Sequence, residues 1–158
     1  MPGARVHSIN VSDGGLPKMP RGSAWVDANG VEGDRQRNRI VHGGPNRAVS
    51  LYSLDLIRVL QAEGHEIAPG TMGENITLEG VDWSQMVPGT RVQIGELELE
   101  LTTYADPCKN IAGSFSDTNA SRVSQKAHPG WSRLYAKVLS EGRIADGDSV
   151  TVVPAAPV

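Results

Sequence analysis

Between residues 91 and 103 apolar and polar positions alternate: Val92 and Ile94, then Gly95-Glu96, then Leu97, Leu99 and Leu101. Period-two alternation on both sides of a two-residue glycine turn predicts a β-hairpin with one buried face. Residues 134–139 and 149–153 predict two further strands, joined through Glu141-Gly142 and an Asp146-Gly147-Asp148 turn. Residues 6–11, 24–26 and 48–52 supply other short strands. The period changes once, after Ser53, where Leu54, Leu56, Ile57, Val59 and Leu60 fall on one side of a helix. Ser53 is its expected N-cap and Gly64 its stop. A second short helix is expected over residues 116–125.

Turn signals separate these elements: Gly14-Gly15, Gly43-Gly44-Pro45, Pro69-Gly70, Pro88-Gly89 and Pro129-Gly130. Many short strands with one or two helices favour a mostly β fold, a closed or partly closed barrel with peripheral helices, over an alternating βαβ sheet. No repeat, low-complexity tract or linker divides the chain, so a single domain over residues 1–158 is expected.

Charge narrows the range of partners. A net charge of −3 over 158 residues argues against general nucleic-acid binding, which needs many basic groups along a phosphate track. No apolar run resembles a leader or a membrane span, so a cytoplasmic protein without a membrane partner is expected. Between positions 18 and 47, however, Lys18, Arg21, Arg35, Arg37, Arg39 and Arg47 outnumber Asp27, Glu32 and Asp34. Such an excess suits a small anion. It equally suits a solvated face with scattered ion pairs.

The chain has a single cysteine, Cys108, which excludes an intrachain disulfide and a zinc site built from several thiolates. It lies in Asp106-Pro107-Cys108-Lys109, where Pro107 fixes the backbone and Lys109 favours thiolate over thiol. A lone cysteine is often only an apolar filler, but these flanks read as a loop, where sites collect. Two more segments could approach a ligand. The 70–77 segment, Gly-Thr-Met-Gly-Glu-Asn-Ile-Thr, joins permissive glycines to the amide of Asn75. The 42–47 segment brackets a glycine turn with His42 and Arg47. Either is also readable as an ordinary turn. No phosphate-loop, dinucleotide, HExxH or GxSxG pattern occurs.

Five stretches in order, Gly14-Gly15-Leu16-Pro17-Lys18, Glu32-Gly33-Asp34-Arg35-Gln36, the 42–49 and 69–77 segments, and Pro107-Cys108-Lys109, resemble the free-standing bacterial members of the MOSC family. This is the domain also found at the C-terminus of molybdenum-cofactor sulfurases. The resemblance implies a strand-rich barrel and a molybdenum cofactor, its metal held by the family cysteine, here Cys108. At family level only, it also carries an association with pyridoxal phosphate binding. It casts Lys18, His42, Arg47, Asn75 and Lys109 as the cations and amides that would meet the phosphate and pterin edge of a molybdopterin. It further implies reduction of N-hydroxylated small molecules, with electrons from a separate protein because the sequence shows no iron-sulfur motif or flavin site. Two other roles stay open: a sulfur carrier holding a persulfide on Cys108, and a non-catalytic module that stores or delivers the cofactor.

Overall fold

A computed structural model describes residues 3–35, 45–107, 115 and 120–155. The hairpin forms where the alternation places it. Strands β7 (Arg91–Ile94) and β8 (Leu97–Ala105) pair antiparallel about Gly95-Glu96. Val92, Ile94, Leu97, Leu99 and Leu101 are all buried, while Arg91 and Gln93 face out. The 134–139 strand extends to β9 (Arg133–Ser140), which lies along β8 with two register irregularities.

The remaining strands of the large sheet are β1 (Arg5–Val11), β2 (Met19–Pro20), β5 (Val49–Ser53), β6 (Ile76–Glu79) and β11 (Thr151–Val153). Their order is β11-β7-β8-β9-β5-β6-β1-β2. A small sheet, β10-β3-β4, comprises β3 (Ser23–Asp27), β4 (Gly30–Val31) and β10 (Gly142–Ala145). β10 falls between the two turn signals, Glu141-Gly142 and Asp146-Gly147-Asp148, expected only to join neighbouring strands. Its one large apolar residue is the buried Ile144, too little to display an alternation, yet it pairs with β3 over four positions.

The strands are not closed by a continuous ladder. The outer edge of β1 is shared: its C-terminal end pairs with β2, while Arg5 bridges to Ser149 just before β11. Val6 N–H donates to Asp148 O (2.9 Å) and Val150 N–H to Ala4 O (2.9 Å). The two ends of the sheet thus meet through a few bonds rather than a strand pair. The expected barrel is, among the described residues, a mostly β fold of two open sheets.

One strand pair, β5 with β6, is parallel, and its crossover is the expected helix, α1 (Leu54–Ala62). Parallel neighbours require such a crossover. Ser53 Oγ accepts the Leu56 amide (3.1 Å), satisfying one of the donors a helix start leaves open. Gly64, at φ +97°, takes the left-handed conformation that ends it. Leu54, Ile57 and Leu60 are buried, whereas Val59 is exposed, so the apolar stripe is narrower than the five residues named from sequence. In the expected second helix the described residues form only a 3-10 turn, Ala120–Val123, with Val123 as its single buried side chain. One anchoring residue gives a longer helix no face to dock.

Candidate functional site

β5 and β6 start side by side, and the residue before β6 is Asn75. Its main chain links both neighbours: Asn75 N–H donates to Ser50 O (2.9 Å) and Asn75 O accepts from Asn10 N–H (2.7 Å). Its side chain repeats the connection. Oδ1 accepts the Ser50 amide (3.1 Å), while Nδ2 donates to Asn10 O (3.3 Å) and to Asp34 Oδ2 (3.0 Å). An amide is the one neutral side chain able to donate and accept in this way. The Ser50 hydroxyl donates to Gly73 O (3.0 Å), fastening the preceding loop to β5.

Asp34 is the hub of this cluster. Its Oδ1 accepts from Lys18 Nζ at 2.6 Å and from Ser12 N–H at 3.0 Å. Both ionic side chains are withdrawn from solvent, 9% exposed for Lys18 and 5% for Asp34. Lys18 N–H also donates to Gly70 O (2.9 Å). At Gly70, φ +88°, a Cβ would lie 2.2 Å from Lys18 O, so the close approach of the two segments requires glycine. From its residue type Asp34 reads as an opposing charge and not as a site residue; its signal is its place in the Glu32-Gly33-Asp34-Arg35-Gln36 stretch.

Behind this cluster the same sheet region carries a second polar set. Glu74 is fully buried, and Thr77 Oγ1 donates to its Oε2 (3.0 Å). Asn10 Nδ2 donates in turn to Thr77 Oγ1 (3.0 Å) and to Glu74 O (3.2 Å). Burial pushes the Glu74 carboxyl up to about 6, against the opposing pulls of nearby amides, the Thr77 hydroxyl and Arg133. Arg133, at the start of β9 and also buried, donates through Nη1 to Met72 O (2.7 Å) and through Nη2 to Asp106 O (3.3 Å). Among the described residues, the buried side-chain polar atoms lacking a hydrogen bond are Ser8 Oγ, Asn10 Oδ1, Glu74 Oε1 and Arg133 Nε. Three of these four atoms belong to this polar set.

Arg47 closes a 3-10 turn, Pro45–Arg47, immediately before β5, with its guanidinium 5.2 Å from the centre of the Tyr135 ring. Thr102 Oγ1 donates to Asn46 O and pins that turn to β8. Of the six site residues named from sequence, Lys18 and Asn75 therefore converge on Asp34, and Arg47 stands three residues from the Ser50 that holds Asn75. His42, Cys108 and Lys109 lie outside the described residues, as do Arg37 and Arg39 of the basic stretch. Arg21 and Arg35 each face an acid, Glu32 at 3.3 Å and Asp13 at 3.6 Å, as scattered ion pairs would. Among the described residues no group of three acidic, histidine or cysteine side chains is placed to hold a metal. No helix among them is long and apolar enough to cross a membrane.

A pocket of about 260 Å³ opens between the 3-10 turn Trp83–Gln85 and the 120s loop, with Trp83, Met86, Tyr104 and Leu134 in its wall. Leu134 alternates with Arg133 and Tyr135 along β9, so the pocket lies on the other face of the sheet.

An open, mostly β fold gathers glycine-bearing loops and a buried acid-base cluster around the starts of two parallel strands. The MOSC domain family profile matches residues 38–151, and the chain belongs to that family. It is 26% identical over 141 residues to the uncharacterized protein YflK of Bacillus subtilis (strain 168), covering 88% of this chain and 63% of that one. It is 29% identical over 130 residues to protein YiiM of Escherichia coli (strain K12), covering 78% of this chain and 56% of that one. The chain thus spans less than two thirds of the length of either curated relative. The crystal structure of the YuaD protein from Bacillus subtilis superposes with a TM-score of 0.75 at 18% identity, covering 97% of each chain, which shows a shared fold.

Proposed function

We propose that this chain binds a molybdenum cofactor and reduces N-hydroxylated small molecules, with Cys108 as the thiolate ligand of molybdenum and electrons delivered by a separate protein. One observation carries the reading. Three of the stretches behind the family resemblance, separate in sequence, meet at one region, 14–18 through Lys18, 32–36 through Asp34 and 69–77 through Asn75, and the 42–49 stretch runs into β5, whose Ser50 is bonded to Asn75. Arg133 extends the meeting to Asp106, two residues before Cys108.

The donor chemistry fits a molybdopterin. Its phosphate needs cations and its pterin edge needs paired donors and acceptors, while a soft thiolate suits the metal. Arg47, His42 and Lys109 are the groups to meet the anion. Lys18 and Asn75 act one step back: with Asp34 neutralising the one and occupying a donor of the other, they hold the loops in register. When bound, the cofactor supplies the two-electron redox chemistry that side chains lack. The protein binds, orients and electrostatically tunes it.

The test is molybdenum content, measured by elemental analysis on protein made in a host that synthesises the cofactor. Wild type is expected to carry near-stoichiometric metal and Cys108→Ala to lose it with the fold retained, along with turnover of amidoximes or hydroxylamines. Metal equally retained in Cys108→Ala would sink the ligand assignment. Metal absent from both, with a one-sulfur mass gain on Cys108 after incubation with a cysteine desulfurase, would replace the reading with sulfur transfer.

A further inference from the structure

We infer that Arg133 is a positioning residue of this site, a buried fork tying the 70–75 loop to the strand end that leads into Cys108; the inference rests on the cofactor reading above. Arg133 is 6% exposed, and its guanidinium bonds main-chain carbonyls in two different segments, Met72 O at 2.7 Å and Asp106 O at 3.3 Å. Met72 stands three residues before Asn75, and Asp106 two residues before Cys108. Desolvating a guanidinium is costly, and an apolar side chain would fill the same space without that cost. What the arginine adds is planar geometry: two donors in fixed relation, each addressed to a carbonyl of a different segment.

Three further observations separate this role from plain packing. Nε has no hydrogen-bond partner among the described residues, so the side chain is held by its two terminal nitrogens alone. Glu74, fully buried in the loop that Arg133 holds, has an Oε1 that is likewise without a hydrogen-bond partner among the described residues, and the Arg133 charge is the smallest of the pulls on its carboxyl. Ser132 Oγ, just before β9, lies 2.8 Å from Arg133 O and 3.2 Å from Ala105 O, and Ala105 pairs with Arg133 in the β8–β9 ladder, so the end of β8 is gripped by the main chain of Arg133 as well as by its guanidinium. The gripped segment is the one that continues into Pro107-Cys108. Lysine cannot replace this arrangement: its ammonium is a point charge and reaches one carbonyl or the other.

The experiment uses amide hydrogen exchange on cofactor-free protein, and molybdenum content on protein from a cofactor-producing host, for wild type, Arg133→Lys, Arg133→Gln and Arg122→Gln. The last is a control: it removes the bidentate pair with Glu63 (2.9 and 2.8 Å) and the stacking on Trp131 but leaves the Arg133 bonds to Met72 O and Asp106 O in place. In both Arg133 variants the amides of residues 70–75 and 103–106 are expected to exchange faster together, with the rest of the β7–β8 hairpin unchanged. Molybdenum retention should fall about 10- to 100-fold, the usual scale for groups that orient a metal's ligands. Arg122→Gln should leave both readouts at wild-type values. Loosening of only one segment, wild-type metal retention in Arg133→Gln, or full recovery of metal in Arg133→Lys would each overturn the inference. Should Arg133→Gln not fold, Arg133→Lys decides the same question. If wild type itself holds no molybdenum, the cofactor reading falls, while coupled or independent loosening in the cofactor-free protein still decides whether Arg133 ties the two segments.

Discussion

The β7–β8 hairpin and the paired starts of β5 and β6 both carry ion pairs, but the two regions use them oppositely. On the hairpin, Arg91 faces Glu98 at 3.4 Å and Glu100 at 3.8 Å, and Lys137 faces Glu100 at 3.1 Å, all beside solvent. The stability of that region comes from the other face, where Val92, Ile94, Leu97, Leu99 and Leu101 are buried. At the strand starts, Lys18 and Asp34 meet at 2.6 Å in the interior, and the surrounding contacts are hydrogen bonds rather than apolar packing. The same pair of charges is therefore decoration in one place and framework in the other. Burying a charge is costly unless its partners are complete, so a framework of this kind fails when any one member is removed.

The largest effect is expected from Asp34→Ala. It leaves Lys18 without its counter-charge and Ser12 N–H without an acceptor, and it reduces Asn75 Nδ2 to its longer bond with Asn10 O. Breaking a buried pair from one side costs about 3–5 kcal/mol, measurable as a shift of the urea midpoint at unchanged slope. The sharper form of the test is the double variant Lys18→Met/Asp34→Leu. It removes both charges and should recover much of the loss, because the orphaned ammonium is then gone. A double variant no more stable than Asp34→Ala would mean that Asp34 acts through Asn75 and Ser12 rather than through Lys18.

A smaller, pH-dependent effect separates the regions again. Burial raises the Glu74 carboxyl from 4.5 to about 6, so the native state holds that proton more tightly than the unfolded chain does. The resulting stability is complete below pH 4.5 and is lost as the pH rises through 6, because the unfolded chain then releases the proton at no burial cost. Glu74→Gln keeps an acceptor for Thr77 Oγ1 and removes the titration. At pH 8 it should exceed wild type by about 2 kcal/mol, and the difference should close on acidification below pH 5. Denaturant titrations at both pH values check this. A gap that persists at low pH would show that the interior answers to shape and not to charge.

The same division governs how much could be read in advance. The hairpin was legible because its energetics are local: alternation, a glycine turn and one buried face are all written within thirteen residues. Helix α1 was legible for the same reason, through Ser53 and Gly64. The site was legible only as scattered pieces, since Asp34 and Arg133 acquire their meaning from partners far along the chain. Asp34 looks like one more surface acid until Lys18 and Asn75 arrive from other segments. Arg133 looks like an exposed residue opening a strand until Met72 O and Asp106 O are seen on either side of its guanidinium. Strand β10 escaped for a related reason: Gly142 in it packs against Leu97 N, a close approach that reads in sequence as a turn.

The smallest expected effect lies back on the hairpin. Glu100→Gln removes the acid shared by Arg91 and Lys137 but leaves the buried face of β8 and its ladder with β9 untouched. Exposed pairs of this kind contribute under about 1 kcal/mol, and salt screens them further. The variant should therefore unfold within that margin of wild type at low ionic strength and become indistinguishable from it in 1 M salt. Asp34→Ala, whose charges are shielded from mobile ions by burial, should keep its deficit under both conditions. If salt erased the Asp34→Ala deficit as readily as that of Glu100→Gln, the Lys18–Asp34 pair would be accessible to solvent, and its role as the framework of the site would have to be abandoned.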